Sequence, residues 1–290
     1  MTTGSPLAGR RVVNTRALSQ AGELDRLLAA HGAIPLSFPC IAIGPPADVS
    51  ALDMAVSALV DGMFDQVVFT SVNTVEAVAR RIEDQGLTNI MCRSALEPFR
   101  SSSTQSGDDN ENGQSWWRPP AVSVVGTMTA RAVERTLGWP IEFFPDDEMA
   151  ASLGTTMPTG PGSEVLLPQS ALAGRALAAI LSGRGAEVTE VVAYETTIGA
   201  GGVDLASLLA AGEVDAVCLT SGSTARGLVD RIGGAGLPDA VRVACIGPET
   251  AEAARSLGLR VDVVPARPTM RAMVQALAAS FATNETAIRG

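Results

Sequence analysis

Residues Val67–Ile82 read VVFTSVNTVEAVARRI, and 150 positions later Val217–Ile232 read VCLTSGSTARGLVDRI, with Val, Thr, Ser, Thr, Arg and Ile recurring in register. In each copy an apolar run ends in Thr-Ser and passes into helical spacing, the pattern of a buried strand, a turn and a helix. A second pair follows in the same order: VSVVGTMTARAVERTLGWPIEFFP from Val122 and VACIGPETAEAARSLGLRVDVVP from Val243, sharing a Gly, a Thr-Ala pair and a closing Pro. Motifs repeated in one order mark a duplicated unit, and a repeat this long implies two similar domains, not a solenoid.

Outward from these stretches, apolar runs alternate with helix-period segments from end to end, as in parallel α/β sheets. Strands are expected at RVVNT from Arg11, AIPLSF from Ala33, DQVVFT from Asp65, VSVV from Val122, SEVLLP from Ser163, EVTEVVAY from Glu187, DAVCLT from Asp215, RVACI from Arg242 and LRVDVV from Leu259. In SQAGELDRLLAAHG, Leu24, Leu27 and Leu28 share a face, with Ser19 expected as N-cap and Gly32 as the stop. The first strand and helix have no partner just ahead of the first copy. The domains are therefore expected to be 1–38 plus 196–290, discontinuous, and 39–195, inserted. Thr70 and Gly126 stand 56 positions apart, against 27 for Thr220 and Gly247. The excess includes the polar run at 100–114, expected to be a surface loop pinned by Trp116 and Trp117.

Composition narrows the function. A net charge of -10 and the absence of Lys argue against a nucleic-acid footprint. No run of about 18 apolar residues predicts a membrane span, and the N-terminus does not read as a signal peptide, which points to the cytoplasm. Cys40, Cys92, Cys218 and Cys245 form no C-x-x-C pair and are expected to be reduced thiols.

Thr70, Ser71 and Asn73 close one strand, and Thr220, Ser221 and Ser223 its duplicate, where helix N-termini point backbone N–H groups at ligands. Ser, Thr and Asn are also the favoured N-caps, so capping is the competing reading. Gly126 with Thr129, and Gly247 with Thr250, behave alike; neither pair belongs to a G-x-G-x-x-G fingerprint or a P-loop, and no nucleotide cofactor is expected. His31, the single histidine, falls at a helix end and suits a dipole or surface role. Asp146, Asp147 and Glu148 precede a helix and read as caps, so no metal site is expected. Tyr194, the only tyrosine, ends an apolar strand at the expected domain crossing; it reads as a hydrogen-bond donor in a site or as a buried ring with a satisfied hydroxyl.

These residues resemble the uroporphyrinogen-III synthase family of tetrapyrrole biosynthesis. The likeness rests on VVFTSVNTVEAV, VVGTMTA, VVAYET, LTSGSTARGL, IGPETAEAARSLG and PTMRAMVQAL, in that order. LLPQSALAGRAL departs from it, since Gln169 and Ser170 replace a commonly Gly-rich turn while Gly174 and Arg175 fit. The resemblance implies two similar parallel-sheet α/β domains, HemD-like and flavodoxin-like, joined by a two-stranded linker with the ligand in a cleft between them. It implies a cofactor-free monomer that cyclises the linear tetrapyrrole hydroxymethylbilane with loss of water and inversion of ring D. Tyr194 would assist departure of the hydroxyl. Thr70, Ser71, Asn73, Gly126, Thr129, Ser170, Thr220, Ser221, Ser223, Gly247 and Thr250 would hold carboxylate arms, with Arg16 a direct partner for one; Arg131, Arg175 and Arg226 are weaker candidates. Two alternatives remain, a non-catalytic HemD-like sensor of a tetrapyrrole or other anion, and a two-domain binding protein of periplasmic type.

Overall fold

The computed structural model describes residues 5–88 and 119–288. The expectations for the insertion at 100–114, for Trp116 and Trp117, and for Cys92 lie outside the described residues. In chain order the elements are β1 (Arg11–Asn14), α1 (Gly22–Ala30), β2 (Ile34–Ser37), β3 (Ile41–Gly44), α2 (Ser50–Val60), β4 (Gln66–Phe69), α3 (Val72–Asp84), β5 (Ala121–Val124), α4 (Thr127–Thr136) and α5 (Ala150–Thr156). They continue with β6 (Glu164–Ser170), α6 (Ala176–Gly183), β7 (Glu187–Ile198), α7 (Leu205–Ala210), β8 (Ala216–Leu219), α8 (Gly222–Arg231), β9 (Arg242–Cys245), α9 (Pro248–Ser256) and α10 (Met270–Ile288).

The chain divides into two compact units, Met1–Ile43 with Thr196–Gly290, and Gly44–Glu195. Both crossings fall inside strands, β3 and β7, which are neighbours in one sheet. The first unit has the sheet β2-β1-β8-β9, with parallel pairing throughout and an isolated bridge from Ala244 to Val263. Successive strand residues alternate faces. Val13, Val217, Leu219 and Val243 pack under α7, α8 and α9, while Val12, Ala216, Cys218 and Ala244 pack under α1 and α10.

The second sheet has the order β3-β7-β6-β4-β5, with an isolated bridge from Ser123 to Phe143. Val67, Phe69, Val122 and Leu166 pack under α2, α3 and α4; Val68, Val165 and Leu167 pack under α5 and α6. Counted from β6, this unit repeats the first. Arg11 pairs with Ile34 as Glu164 pairs with Glu187, and Val12 lies opposite Ala216 as Val165 lies opposite Gln66. The Gly9 N–H donates to the Gly32 carbonyl at 2.9 Å, and Gly162 donates to Gly185 at 2.9 Å. The units are circular permutants of one flavodoxin-like strand order, 2-1-3-4. The partner of the first strand and helix thus stands at the end of the first copy rather than ahead of it.

Four local expectations are corrected. Ser19 is not an N-cap: Leu18–Gln20 form a 3-10 turn, and α1 starts from Ala21 with no side-chain cap. LRVDVV is not a strand, because only Val263 bridges to β9. β3 was not expected; its short run IAIG offers little alternation to read. Tyr194 does not end its strand, since β7 continues to Ile198.

Candidate active site

In a doubly wound sheet ligands gather beyond the carboxyl ends of the strands, where the strand order reverses. That point lies between β1 and β8 in the first unit, and between β6 and β4 in the second. In the first unit Arg16, the Thr220–Ser223 turn, Gly247 and Thr250 follow the carboxyl ends of β1, β8 and β9. In the second, Tyr194 and Ser170 lie on β7 and β6, Thr70, Ser71 and Asn73 follow β4, and Gly126 and Thr129 follow β5. Each set therefore shares one sheet edge within its own unit.

The Thr-Ser turns separate into caps and uncommitted groups. Ser71 accepts from the Thr74 N–H at 3.3 Å, and Ser221 from the Thr224 N–H at 3.1 Å, so both serines are N-caps. The buried Thr224 hydroxyl accepts from the N–H groups of Thr220 and Ser221 at 3.1 Å each and donates to the Ser221 carbonyl at 2.7 Å. Thr74 and Thr224 were not singled out as candidates, although their recurrence three residues after the serine was visible in the repeat. No hydrogen bond ties up the half-buried hydroxyls of Thr70, Thr220 and Ser223 among the described residues. The first N–H groups of α3 and α8 have no intrahelical partner.

The Gly-x-x-Thr turns are more occupied. Glu148, at φ +52, places its carboxylate on the start of α4, accepting from the Thr127 N–H at 3.0 Å and from the Thr127 hydroxyl. A Cβ at Gly126 would stand 3.0 Å from that carboxyl group. These two hydrogen bonds hold the Glu148 carboxyl below the usual range. At Gly247 the crowding neighbour is Pro268, at 3.0 Å, and α9 opens on Pro248, which has no N–H. Both glycines thus make room for the protein's own chain. Thr129 and Thr250 are buried at the third helical position. Asp147 accepts from Met149 and Ser152 at the start of α5, as expected of a cap, whereas Glu148 caps α4 instead of the helix that follows it.

Arg16 is half-buried, and burial lowers its pKa against the opposing charge of Glu23. Its Nε donates to the Gln20 carbonyl at 2.9 Å and Nη2 to Gln20 Oε1 at 3.2 Å; it forms no salt bridge among the described residues. Arg131, Arg175 and Arg226 are exposed. Tyr194 follows a register shift in which Gln169 faces Val192 and Ser170 faces Tyr194, a bulge of the kind that re-aims a side chain. Its ring packs against the core cluster on the α2–α4 face, and its hydroxyl has no hydrogen-bond partner among the described residues. His31 caps α1, its Nδ1 lying 2.9 Å from the Leu27 carbonyl. Among the described residues no group of three His, Cys, Asp or Glu could hold a metal ion. Among the same residues no helix is long and apolar enough to cross a membrane.

The family model described as uroporphyrinogen-III synthase HemD matches residues 22–275. The chain belongs to that family. It is 29% identical to uroporphyrinogen-III synthase of Synechococcus elongatus over 94% of this chain and 96% of the relative. The structure of a mutant uroporphyrinogen III synthase from Thermus thermophilus superposes with a TM-score of 0.58 at 22% identity, covering 95% of this chain and all 100% of that one. The uroporphyrinogen-III synthetase of Helicobacter pylori gives 0.55 at 14% identity, over 94% and 99% of the two chains. These likenesses support the two-unit α/β fold, and the sequence relationship carries the family.

Proposed function

We propose that this protein is a uroporphyrinogen-III synthase, a hydro-lyase that closes hydroxymethylbilane with loss of water and inversion of ring D. The observation that carries the reading is the same helix start at the same place in both units, each flanked by a threonine hydroxyl, Thr70 in one and Thr220 in the other, with no hydrogen-bond partner among the described residues. Backbone N–H groups at such starts act on carboxylates at contact range, where a net charge of -10 elsewhere on the protein is screened. Arg16 offers a guanidinium not engaged in a salt bridge for a further carboxylate. Ser71 and Ser221 support this edge as caps, while Asn73 and Ser223 lie in the first helical turns.

The chemistry asks little of reactive side chains. Tyr194 donates a hydrogen bond to the departing hydroxyl, and holding the flexible substrate folded selects which carbon closes the ring. Gly126, Thr129, Gly247 and Thr250 shape the edge, and Ser170 stands beside Tyr194 in register. The two units serve as the two domains, with β3 and β7 as the two-stranded linker. The enzyme works as a cytoplasmic monomer without a cofactor. A coupled assay with freshly generated hydroxymethylbilane, separating type I and type III products after oxidation, tests this; only type I at the spontaneous rate would refute it.

A further inference from the structure

Three side chains at the carboxyl edge of the second unit are apolar and exposed: Met128 at 63%, Met149 at 57% and Leu172 at 71%. Their elements place them at one edge. The Glu148 carboxylate is bonded to Thr127, which sets the residues before α5 against the start of α4. α5 and α6 pack together, with Gly154 against Leu177 and Ile180, and both begin at this edge just after Met149 and Leu172. Single exposed apolar residues are ordinary, but three on one sheet edge of one unit call for a reason.

The duplicate supplies it. At the matching positions of the first unit stand Glu249, Thr269 and Ser19, all polar, with one exposed apolar neighbour, Leu18 at 67%. Thr269 accepts from the Ala272 N–H at 3.2 Å as a helix cap, whereas Met149 holds the same cap position without any side-chain hydrogen bond. The second unit thus carries a thioether where the first has a capping hydroxyl, and Asp147 serves the start of α5 from two residues earlier. The same sheet edge carries the Thr70 hydroxyl and the N-terminus of α3, so apolar surface and anion donors share it. A linear tetrapyrrole combines the same two characters, with apolar rings carrying carboxylate arms.

We propose that Met128, Met149 and Leu172 form a platform against which a pyrrole ring of the substrate packs, orienting it relative to Tyr194. This rests on the functional reading above. The first unit, with Arg16 and polar residues at the matching places, holds carboxylate arms instead.

The test replaces the three by residues of the other unit's character, Met128→Gln, Met149→Thr and Leu172→Ser, together, beside a conservative set, Met128→Leu and Leu172→Met. Thermal unfolding confirms that each chain folds. Turnover of hydroxymethylbilane and equilibrium binding of uroporphyrinogen III are both read. The polar triple variant is expected to raise KM and the dissociation constant about tenfold and to lower the type III share, and the conservative set to stay at wild-type values. An active wild type with unchanged KM, binding and isomer share in the triple variant overturns the platform alone. Binding that weakens in the triple variant while the wild type turns nothing over upholds the platform and overturns the enzymatic reading. A self-association constant that falls in the triple variant with porphyrinogen binding unchanged assigns the three side chains to a second copy and also overturns the platform.

Discussion

Tyr194 carries the clearest consequence at the scale of single residues. Its hydroxyl has no internal partner among the described residues, so Tyr194→Phe is expected to leave thermal stability within about 0.5 kcal/mol. Turnover should fall about 100-fold, the usual yield of a positioned proton donor. Stopped assays beside thermal unfolding separate the two quantities. The cysteines point the other way. Burial pushes the thiols of Cys40 and Cys218 up to about 12 and that of Cys245 to about 11, which suppresses the reactive thiolate. Mass mapping after iodoacetamide treatment of the folded protein at neutral pH should find these three unmodified; labelling in the native state would contradict the packing described.

At the scale of elements, the helix starts divide cap from candidate ligand. Thr224→Val removes a buried hydroxyl that serves two N–H groups and one carbonyl, and is expected to cost about 1–3 kcal/mol by chemical denaturation. Met149→Thr places a hydroxyl at the N-cap of α5, as Thr269 does for α10, and should stabilise the protein by about 0.5–1 kcal/mol. Acid sensitivity belongs here too. Hydrogen bonds at Asp48, Asp53, Asp147, Glu148 and Asp204 hold these carboxyls below their ordinary values, Asp53 through Arg81 first. A depressed native value adds stability above the unfolded value and loses it as pH falls through the native one. Stability should therefore be level from pH 5 to 8 and decline below about pH 4; a rise on acidification would contradict these contacts.

Much of this scale could be read from residues. The Thr-Ser repeat located β4 with α3 and β8 with α8 because both copies keep a buried strand and an amphipathic helix. The partnership of β1 with β6 was harder, since few side chains recur between Arg11–Ala33 and Glu164–Ala186. What persists is the backbone need: Gly9 and Gly32 in one unit and Gly162 and Gly185 in the other, at one spacing, close the same hydrogen bond. LRVDVV shows the reverse error. Its alternation is strand-like, but the segment makes only one isolated bridge to the sheet, Val263 to Ala244. The division of Ser71 and Ser221 from Thr70 and Thr220 needed coordinates, because all four are good capping residues.

For the molecule as a whole, circular permutation explains how two equal units arise from a chain whose first and last segments share one of them. The segment leaving β2 is fastened inside the first unit. Phe38 and Cys40 donate to Asn14 and Thr15 at 3.0 and 2.9 Å, and Arg231 donates to the Pro39 carbonyl at 2.6 Å while lying over the Phe38 ring. A Cβ at Gly227 would stand 2.0 Å from the Cys40 carbonyl oxygen, so Gly227→Ala is expected to cost about 3 kcal/mol or to prevent folding. Each unit carries its own Thr at a helix start, Thr70 in one and Thr220 in the other, and the proposed function assigns both to the substrate. The isomer composition formed from hydroxymethylbilane by the wild type and by the Thr70→Ala, Thr220→Ala double variant tests that account most directly. It requires type III from the wild type and a shift toward type I in the variant at unchanged thermal stability; type I alone from the wild type, or undiminished type III from the variant, would contradict it.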